Sequence, residues 1–213
     1  MKNILCYGDS NTWGYDAETA LRFPPEVRWT GRLQTLLWPE YRVLESGLNG
    51  RTTAYDDGFD GWCCGSRYLP AALKTHDPLD LVVLMLGTND LKDRLGLAPE
   101  EVARGMEKLV QTVRSPGLWG LRSAPKVLVV APMLLNGETL AAASPFGESF
   151  TARSAERSQR LGTTYGELCR RLDCPFVDAG VLGAVGSRDG VHMAPPDHRR
   201  LAELLAPVIA GLV

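Results

Sequence analysis

Several things are missing from this chain, and each absence removes a class of function. No apolar run approaches the roughly 18–20 residues of a membrane span, so no membrane helix is expected. Neither sign of charge is in excess. The formal net charge is -2 and the isoelectric point about 5.9, which gives no electrostatic ground for binding nucleic acid or an anionic membrane. Cysteine occurs five times, an odd number, so a complete disulfide framework within one chain is excluded. A reducing cytosol is the simpler setting. The first residues show no charged n-region, no h-region and no cleavage site, and a cytoplasmic location is the expectation. The adjacent pair Cys63-Cys64 has no second Cys/His pair at ligand spacing to complete a zinc site. No metal and no cofactor is therefore expected, and the two thiols suggest loop packing or an oligomer contact. Repeats, low-complexity tracts and linkers are absent too. A length of 213 residues fits one domain, 1–213, with a substantial core.

What is present is an alternation. Apolar runs of strand length recur at Ile4–Tyr7, Val43-Leu44, Leu79–Leu86, Lys126–Ala131 and Pro175–Val177. The third, Leu81-Val82-Val83-Leu84-Met85-Leu86, is continuous rather than alternating, which suits a strand covered on both faces. Helical periodicity lies between the runs. Val102, Met106, Leu109, Val110 and Val113 mark one helix face, with Pro99, Glu100 and Glu101 suited to its first turn and Ala98 a poor cap. Leu161, Tyr165, Leu168 and Leu172 mark another. Leu201, Leu204, Leu205, Val208, Ile209 and Leu212 mark the last, where Pro207 should kink the helix. Trp29, Leu33, Leu36 and Leu37 suggest a helix after the first strand, and Tyr68–Lys74 a short one before the third. Strands alternating with helices predict an α/β fold, a three-layer α/β/α arrangement on a five-stranded parallel sheet of flavodoxin-like order. Three long connections, Asp16–Val27, Ala54–Ser66 and Leu134–Glu148, are expected as functional loops at the ligand-binding edge.

That edge, outside the carboxyl ends of the strands, is where open α/β sheets bind ligands. The first strand ends there in Gly8-Asp9-Ser10-Asn11. Ser10 is a candidate nucleophile only if the chain supplies a base, because a lone hydroxyl is nearly inert at neutral pH. Histidine is scarce, with three in the chain, so the choice of base is short. His76 sits in a turn before the third strand, at the wrong edge. His198, in Asp197-His198-Arg199-Arg200, is expected on a solvated face. His192 follows Asp189 by three residues in a loop after the fifth strand. An aspartate so placed can fold back onto one ring nitrogen and leave the other for Ser10. Asn89, in Gly87-Thr88-Asn89-Asp90 after the third strand, can aim an amide at the same edge. Gly50, in Gly47-Leu48-Asn49-Gly50-Arg51 after the second, lets a backbone N–H approach a substrate. Each of these is unremarkable alone. Their coincidence on one edge is informative.

Taken together these blocks resemble the SGNH (GDSL-type) hydrolases. The family's four blocks appear in order as Gly8-Asp9-Ser10, Asn49-Gly50-Arg51, Gly87-Thr88-Asn89-Asp90 and Asp189-Gly190-Val191-His192. The chain is more similar still to bacterial arylesterase/acyltransferase members with perhydrolase activity, through Gly8–Gly14, Val27–Gly31, Arg51-Thr52-Thr53 and Ala124–Val130. Asn11 departs from the family's name-giving motif, which has leucine there. The resemblance implies Ser10 as nucleophile, His192 as base and then acid, and Asp189 as its orienter. It implies an oxyanion hole from the Ser10 and Gly50 N–H groups and the Asn89 side chain. It implies a serine esterase or acyltransferase acting on small acetyl-type or aryl esters through an acyl-enzyme, passing the acyl group to water, alcohols or peroxide. It also implies a homo-oligomer. Asn11, Trp13, Met133 and Phe150, with Phe146, are expected to touch the substrate pocket. Asp9 and Asp90 are expected to brace turns, and Arg28-Trp29 a loop. Two alternatives stand beside this: a carbohydrate O-deacetylase of the same fold, and a non-catalytic flavodoxin-like binding module.

Overall fold

A continuous apolar strand is stable only when both of its faces are covered, and this requirement shapes the chain. The computed structural model describes residues 1–58, 61–143 and 149–213. Five strands, β1 (Lys2–Gly8), β2 (Tyr41–Gly47), β3 (Leu81–Met85), β4 (Lys126–Ala131) and β5 (Phe176–Asp178), form one sheet in the order β2-β1-β3-β4-β5. Every pairing is parallel. Among the described residues, eight α-helices connect or follow them: α1 (Ser10–Trp13), α2 (Trp29–Leu37), α3 (Gly65–Thr75), α4 (Pro99–Arg114), α5 (Pro116–Trp119), α6 (Gly137–Ala143), α7 (Ala152–Arg171) and α8 (Pro195–Leu212). None is long and apolar enough to cross a membrane.

Side chains alternate along a strand, so the sheet splits its apolar residues between two cores. The register aligns Tyr7, Leu84, Val129 and Phe176 in one row, which faces α3, α4 and α7. Cys6, Val83 and Leu128 form the next row and face α2 and α8. Helix α4 buries Val102, Met106, Leu109, Val110 and Val113, the stripe expected from its periodicity. Ala98 offers no side-chain cap. The Glu101 carboxylate reaches back instead and accepts the Ala98 N–H at 2.8 Å, which is half of a capping box.

Several elements depart from expectation. Helix α7 begins nine residues before Leu161, at Ala152. Its first half buries small residues, Ser154, Ala155 and Ser158, which carry little hydrophobic signal. Leu134–Glu148 is not structureless, since α6 lies within it. The tight helix α1 carries no element expectation from the sequence and is capped by Gly14, whose φ of 89° is left-handed. His198 is fully buried rather than solvated. The Trp29 N–H, a first-turn donor that α2 cannot satisfy internally, donates to His198 Nδ1 at 3.3 Å. Burial lowers the imidazole pKa to about 4, so His198 stays neutral and can accept.

Gly47, the last residue of β2, decides where α1 can lie. A Cβ at this position would run into the backbone nitrogen of Trp13, so only glycine lets the helix that begins with Ser10 rest on the end of β2. Gly47→Ala should therefore destabilise the protein by about 1–3 kcal/mol, the usual cost of overpacking, and displace Ser10. Urea unfolding and ester turnover measure the two effects. An unchanged midpoint together with unchanged turnover would show that α1 is not held this way.

Candidate active site

Strand β1 stops at Gly8, and Asp9 turns the chain into α1. The Asp9 carboxylate caps the helix by accepting the Asn11 N–H at 2.9 Å, which leaves Ser10 in the first turn at the sheet's carboxyl edge. After β5 the chain crosses the same edge in Asp189–His192, with Gly190 turning at a φ of 71°. Ser10 Oγ and His192 Nε2 lie 2.9 Å apart, and His192 Nδ1 lies 2.6 Å from Asp189 Oδ2. All three residues are buried. A carboxylate only accepts, so Nδ1 carries the ring proton and Nε2 is left to accept from the serine hydroxyl.

Asp189 is locked from its other side. Oδ1 accepts the Ser187 hydroxyl at 2.6 Å and the N–H groups of Val191 and His192, each at 2.9 Å. Burial alone would raise its pKa. The bonds and charge interaction with His192, aided by Ser187, outweigh burial and hold the carboxyl well below the usual carboxylate range. Asp189 is therefore an anion beside the imidazole at any pH near neutrality. Ser187 carried no sequence signal beyond lying two residues before Asp189.

The other predicted residues divide. Gly50, Asn89 and Phe150 line a cleft of about 290 Å³ together with Ser10 and His192. Gly50 is glycine for two reasons: its φ of 80° is left-handed, and a Cβ would crowd Cys63 Sγ. Asn89 Nδ2 donates to Arg51 O at 3.1 Å, and the carboxamide carries a second N–H. Cys63 Sγ sits 3.5 Å from Asn49 O and Cys64 Sγ 3.5 Å from Ser66 Oγ, so the pair packs this loop.

Three pocket expectations are corrected. Asn11 is a brace: its Nδ2 donates to Val191 O at 3.3 Å and its Oδ1 accepts the Met193 N–H at 2.8 Å. These bonds flank His192, and a leucine could make neither. Trp13 is absent from the lining of the cleft. The Arg22 guanidinium lies 5.3 Å over its ring, and the Trp13 carbonyl accepts from Arg22 Nε. Met133 belongs to the α2/α8 core with Val185 and Met193. Phe146 lies outside the described residues.

The cleft also holds residues that the sequence did not announce. Tyr15 packs its ring on His192, with centroids 4.4 Å apart and planes tilted by 40°. Lys92 and Arg94 line the cleft and share Asp57 Oδ2 at 2.8 and 2.9 Å. Position was the available signal: Lys92 lies three residues after Asn89 in the same tight turn, and Tyr15 follows the Gly14 cap of α1.

Beneath the cleft lie two buried carboxyls. Asp90 accepts the Thr53 N–H at 2.9 Å and the Thr53 hydroxyl at 2.6 Å, tying the glycine block to the asparagine block. Arg28 bonds Glu45 and the Phe23 carbonyl and so braces its loop. Burial pushes Asp90 up to about 7 against the opposing effect of Thr53, and neighbouring Asp9 adds to the rise. Burial likewise pushes Asp9 up to about 6.

Several known proteins resemble this chain. Residues 6–207 match the model of the GDSL-like lipase/acylhydrolase family. No curated protein matches the chain. Among solved structures, it is similar to a carbohydrate acetylesterase from Sinorhizobium meliloti, at 39% identity and a TM-score of 0.92 with 100% of both chains covered. It is similar to the M. smegmatis aryl esterase, at 38% identity and 0.92, again with 100% of both covered. A putative arylesterase from Agrobacterium tumefaciens matches at 39% and 0.89, covering 100% of this chain and 99% of that one.

The buried carboxyls set a pH dependence of stability. A carboxyl raised to about 7 when folded keeps its proton where the unfolded chain, near the ordinary 3.8, has lost it. The folded state then binds more protons, so this contribution falls as pH rises from about 4 to 7. Asp90→Asn keeps an acceptor for Thr53 and removes the titration. The decline of unfolding free energy across that range, followed by urea unfolding at several pH values, should become shallower in the variant. A slope identical to that of the parent would place the buried proton elsewhere.

Proposed function

The chain belongs to the GDSL-like lipase/acylhydrolase family and is an SGNH hydrolase of the esterase type, and on that premise we propose that it cleaves small acyl esters through an acyl-enzyme on Ser10. The observation that carries this is the Ser10–His192–Asp189 chain of hydrogen bonds, at 2.9 and 2.6 Å, opening onto the cleft that Gly50 and Asn89 line.

In this reaction the Ser10 oxygen attacks the ester carbonyl while its proton passes to His192 Nε2. The ionised Asp189 stabilises the imidazolium and keeps the ring oriented. A positioned base of this kind contributes about 10²–10⁴ in rate. Negative charge develops on the carbonyl oxygen, and the N–H groups of Ser10 and Gly50 and the Asn89 carboxamide receive it. Loss of one such donor costs roughly 10²–10³ in kcat in well-studied cases. His192 returns the proton to the leaving alcohol. The acyl group then waits on Ser10 for an acceptor, either water or, by transfer, an alcohol or peroxide. Supporting transfer, Ser10 and His192 are almost shielded from water, and Tyr15, Phe150 and Val191 give the cleft apolar walls.

The size of the cleft supports a short acyl group. About 290 Å³ lies just below the range of roughly 300–1,000 Å³ typical of ligand pockets. A second reading, removal of acetyl groups from a carbohydrate, is supported by the likeness to the Sinorhizobium meliloti acetylesterase. Relative kcat/KM for acetylated sugars and for aryl acetates separates the two.

Turnover of an aryl acetate and labelling by a fluorophosphonate should both depend on Ser10, and Ser10→Ala should lower turnover by more than about 10³-fold. An aryl acetate should be preferred over the octanoate by at least about tenfold, since each misfitted methylene weighs about 1–3 kcal/mol. Activity that survives unchanged in Ser10→Ala would remove the nucleophile from this scheme.

A further inference from the structure

The proposed oxyanion donors come from three separate segments, and something has to hold them in one geometry. Ser10 follows β1, Gly50 follows β2, and Asn89 follows β3. Donors stabilise a developing charge only when they are preorganised around it, and three loop segments do not hold a common geometry by themselves. One residue, Arg51, touches all three segments. Arg51 is joined to Gly50 by a peptide bond. Its carbonyl accepts the Asn89 Nδ2 hydrogen bond at 3.1 Å. Its guanidinium Nη1 donates to Gly8 O at 2.8 Å and to Ser46 O at 2.5 Å, at the carboxyl ends of β1 and β2. Gly8 lies two residues before Ser10.

The rest of the side chain lies against the core of β1. The guanidinium carbon lies 4.0 Å from the centroid of the Tyr7 ring, a cation–π arrangement on a core residue of β1. Arg51 Nε is buried without an acceptor, which costs free energy. A methionine would fill the same space without that cost, so a purely space-filling role does not call for arginine. What arginine provides and methionine cannot is the pair of bonds to strand-end carbonyls, together with a positive charge near the buried Asp9 carboxyl. Arg51 is not among the residues that line the cleft.

From this we infer that Arg51 is the positioning residue of the oxyanion hole: its side chain fixes the turn before Ser10 and the end of β2, and its main chain fixes Gly50 and the Asn89 carboxamide. The inference rests on the esterase reading above. It goes beyond that reading by assigning the alignment of the donors to one residue outside the cleft.

Kinetics of an aryl acetate in four proteins test it: wild type, Arg51→Met, Asn89→Ala and the double variant, with Arg51→Lys as the conservative substitution. Misplaced donors affect the transition state more than ground-state binding. Arg51→Met should therefore lower kcat about 10–100-fold, somewhat less than outright loss of a donor, while KM stays within about threefold. The limb of the pH–rate profile set by the histidine should not move. Arg51→Lys should fall between wild type and Arg51→Met, because an ammonium keeps the charge but not the planar fork. Because Arg51 acts on the Ser10 and Gly50 segments as well as on Asn89, the double variant should be slower than Asn89→Ala, but by a smaller factor than Arg51→Met causes in the wild-type background. The inference is overturned by a wild-type kcat in Arg51→Met, or by a double variant whose loss is the product of the two single losses. If Arg51→Met does not fold, Arg51→Lys decides: reduced kcat with an unchanged thermal midpoint supports the assignment, and wild-type kcat refutes it. A wild-type protein without Ser10-dependent turnover would sink the esterase reading itself, which is a different outcome from an active enzyme indifferent to Arg51.

Discussion

Parallel strands cannot be joined by hairpins. Each must be followed by a crossover that returns the chain to the same starting edge, and every strand therefore delivers its next residues to the opposite edge. Most of what is local to this site follows from that constraint. Ser10 after β1, Gly50 after β2, Asn89 after β3 and the Asp189–His192 loop after β5 converge because the sheet directs them there. The serine and the histidine are 182 residues apart in sequence and 2.9 Å apart in space. The same constraint explains the sequence pattern. A strand covered by crossover helices on both faces has no solvent side, so β3 is apolar without interruption and fully buried.

Around this edge the protein uses one residue type in three ways. Asp189 receives two N–H groups, a hydroxyl and the imidazole, and its carboxyl is held far down. Asp90 receives the Thr53 N–H and hydroxyl and its own N–H and, at zero exposure, is pushed up to about 7. Asp9 lies between these extremes at about 6. The difference lies in the count and charge of the donors set against desolvation. Only the carboxyl that faces the imidazole is firmly an anion. The other two fasten α1 and the glycine block in place, and the acidic residue nearest to Ser10 in sequence is thus not the one that serves it.

Legibility followed the range of the physics. The strands and the α4 stripe depend on local periodicity, and they lie where periodicity puts them. The order of the sheet follows from alternation together with the rarity of other connections. The meeting of Ser10, His192 and Asp189 was legible because the edge of the sheet is a consequence of that order. What failed depended on which way a side chain turns. Met133 and Phe150 look equally apt for a pocket, yet Met133 points into the α2/α8 core and Phe150 into the cleft. Asn11 sits next to the serine and was expected against substrate, but both ends of its carboxamide are engaged by the backbone on either side of His192. His198 lies among charged neighbours, Asp197, Arg199 and Arg200, yet it is buried because the first turn of α8 packs on the start of α2.

By itself, then, the sequence determined the alternation of strands and helices, the single edge at which four short blocks end, and the identity of the residues able to form a nucleophile, base and acid there. These are properties of periodicity and residue type, which act within a few positions of the chain. Tertiary structure alone decided which neighbours close the site: Tyr15 against His192, Ser187 on Asp189, Asn11 beneath the histidine loop, and Arg51 across three strand ends. Those contacts join segments distant in sequence. Their distances are set by how the two cores pack on the sheet, a balance of burial and hydrogen bonding that no local pattern records.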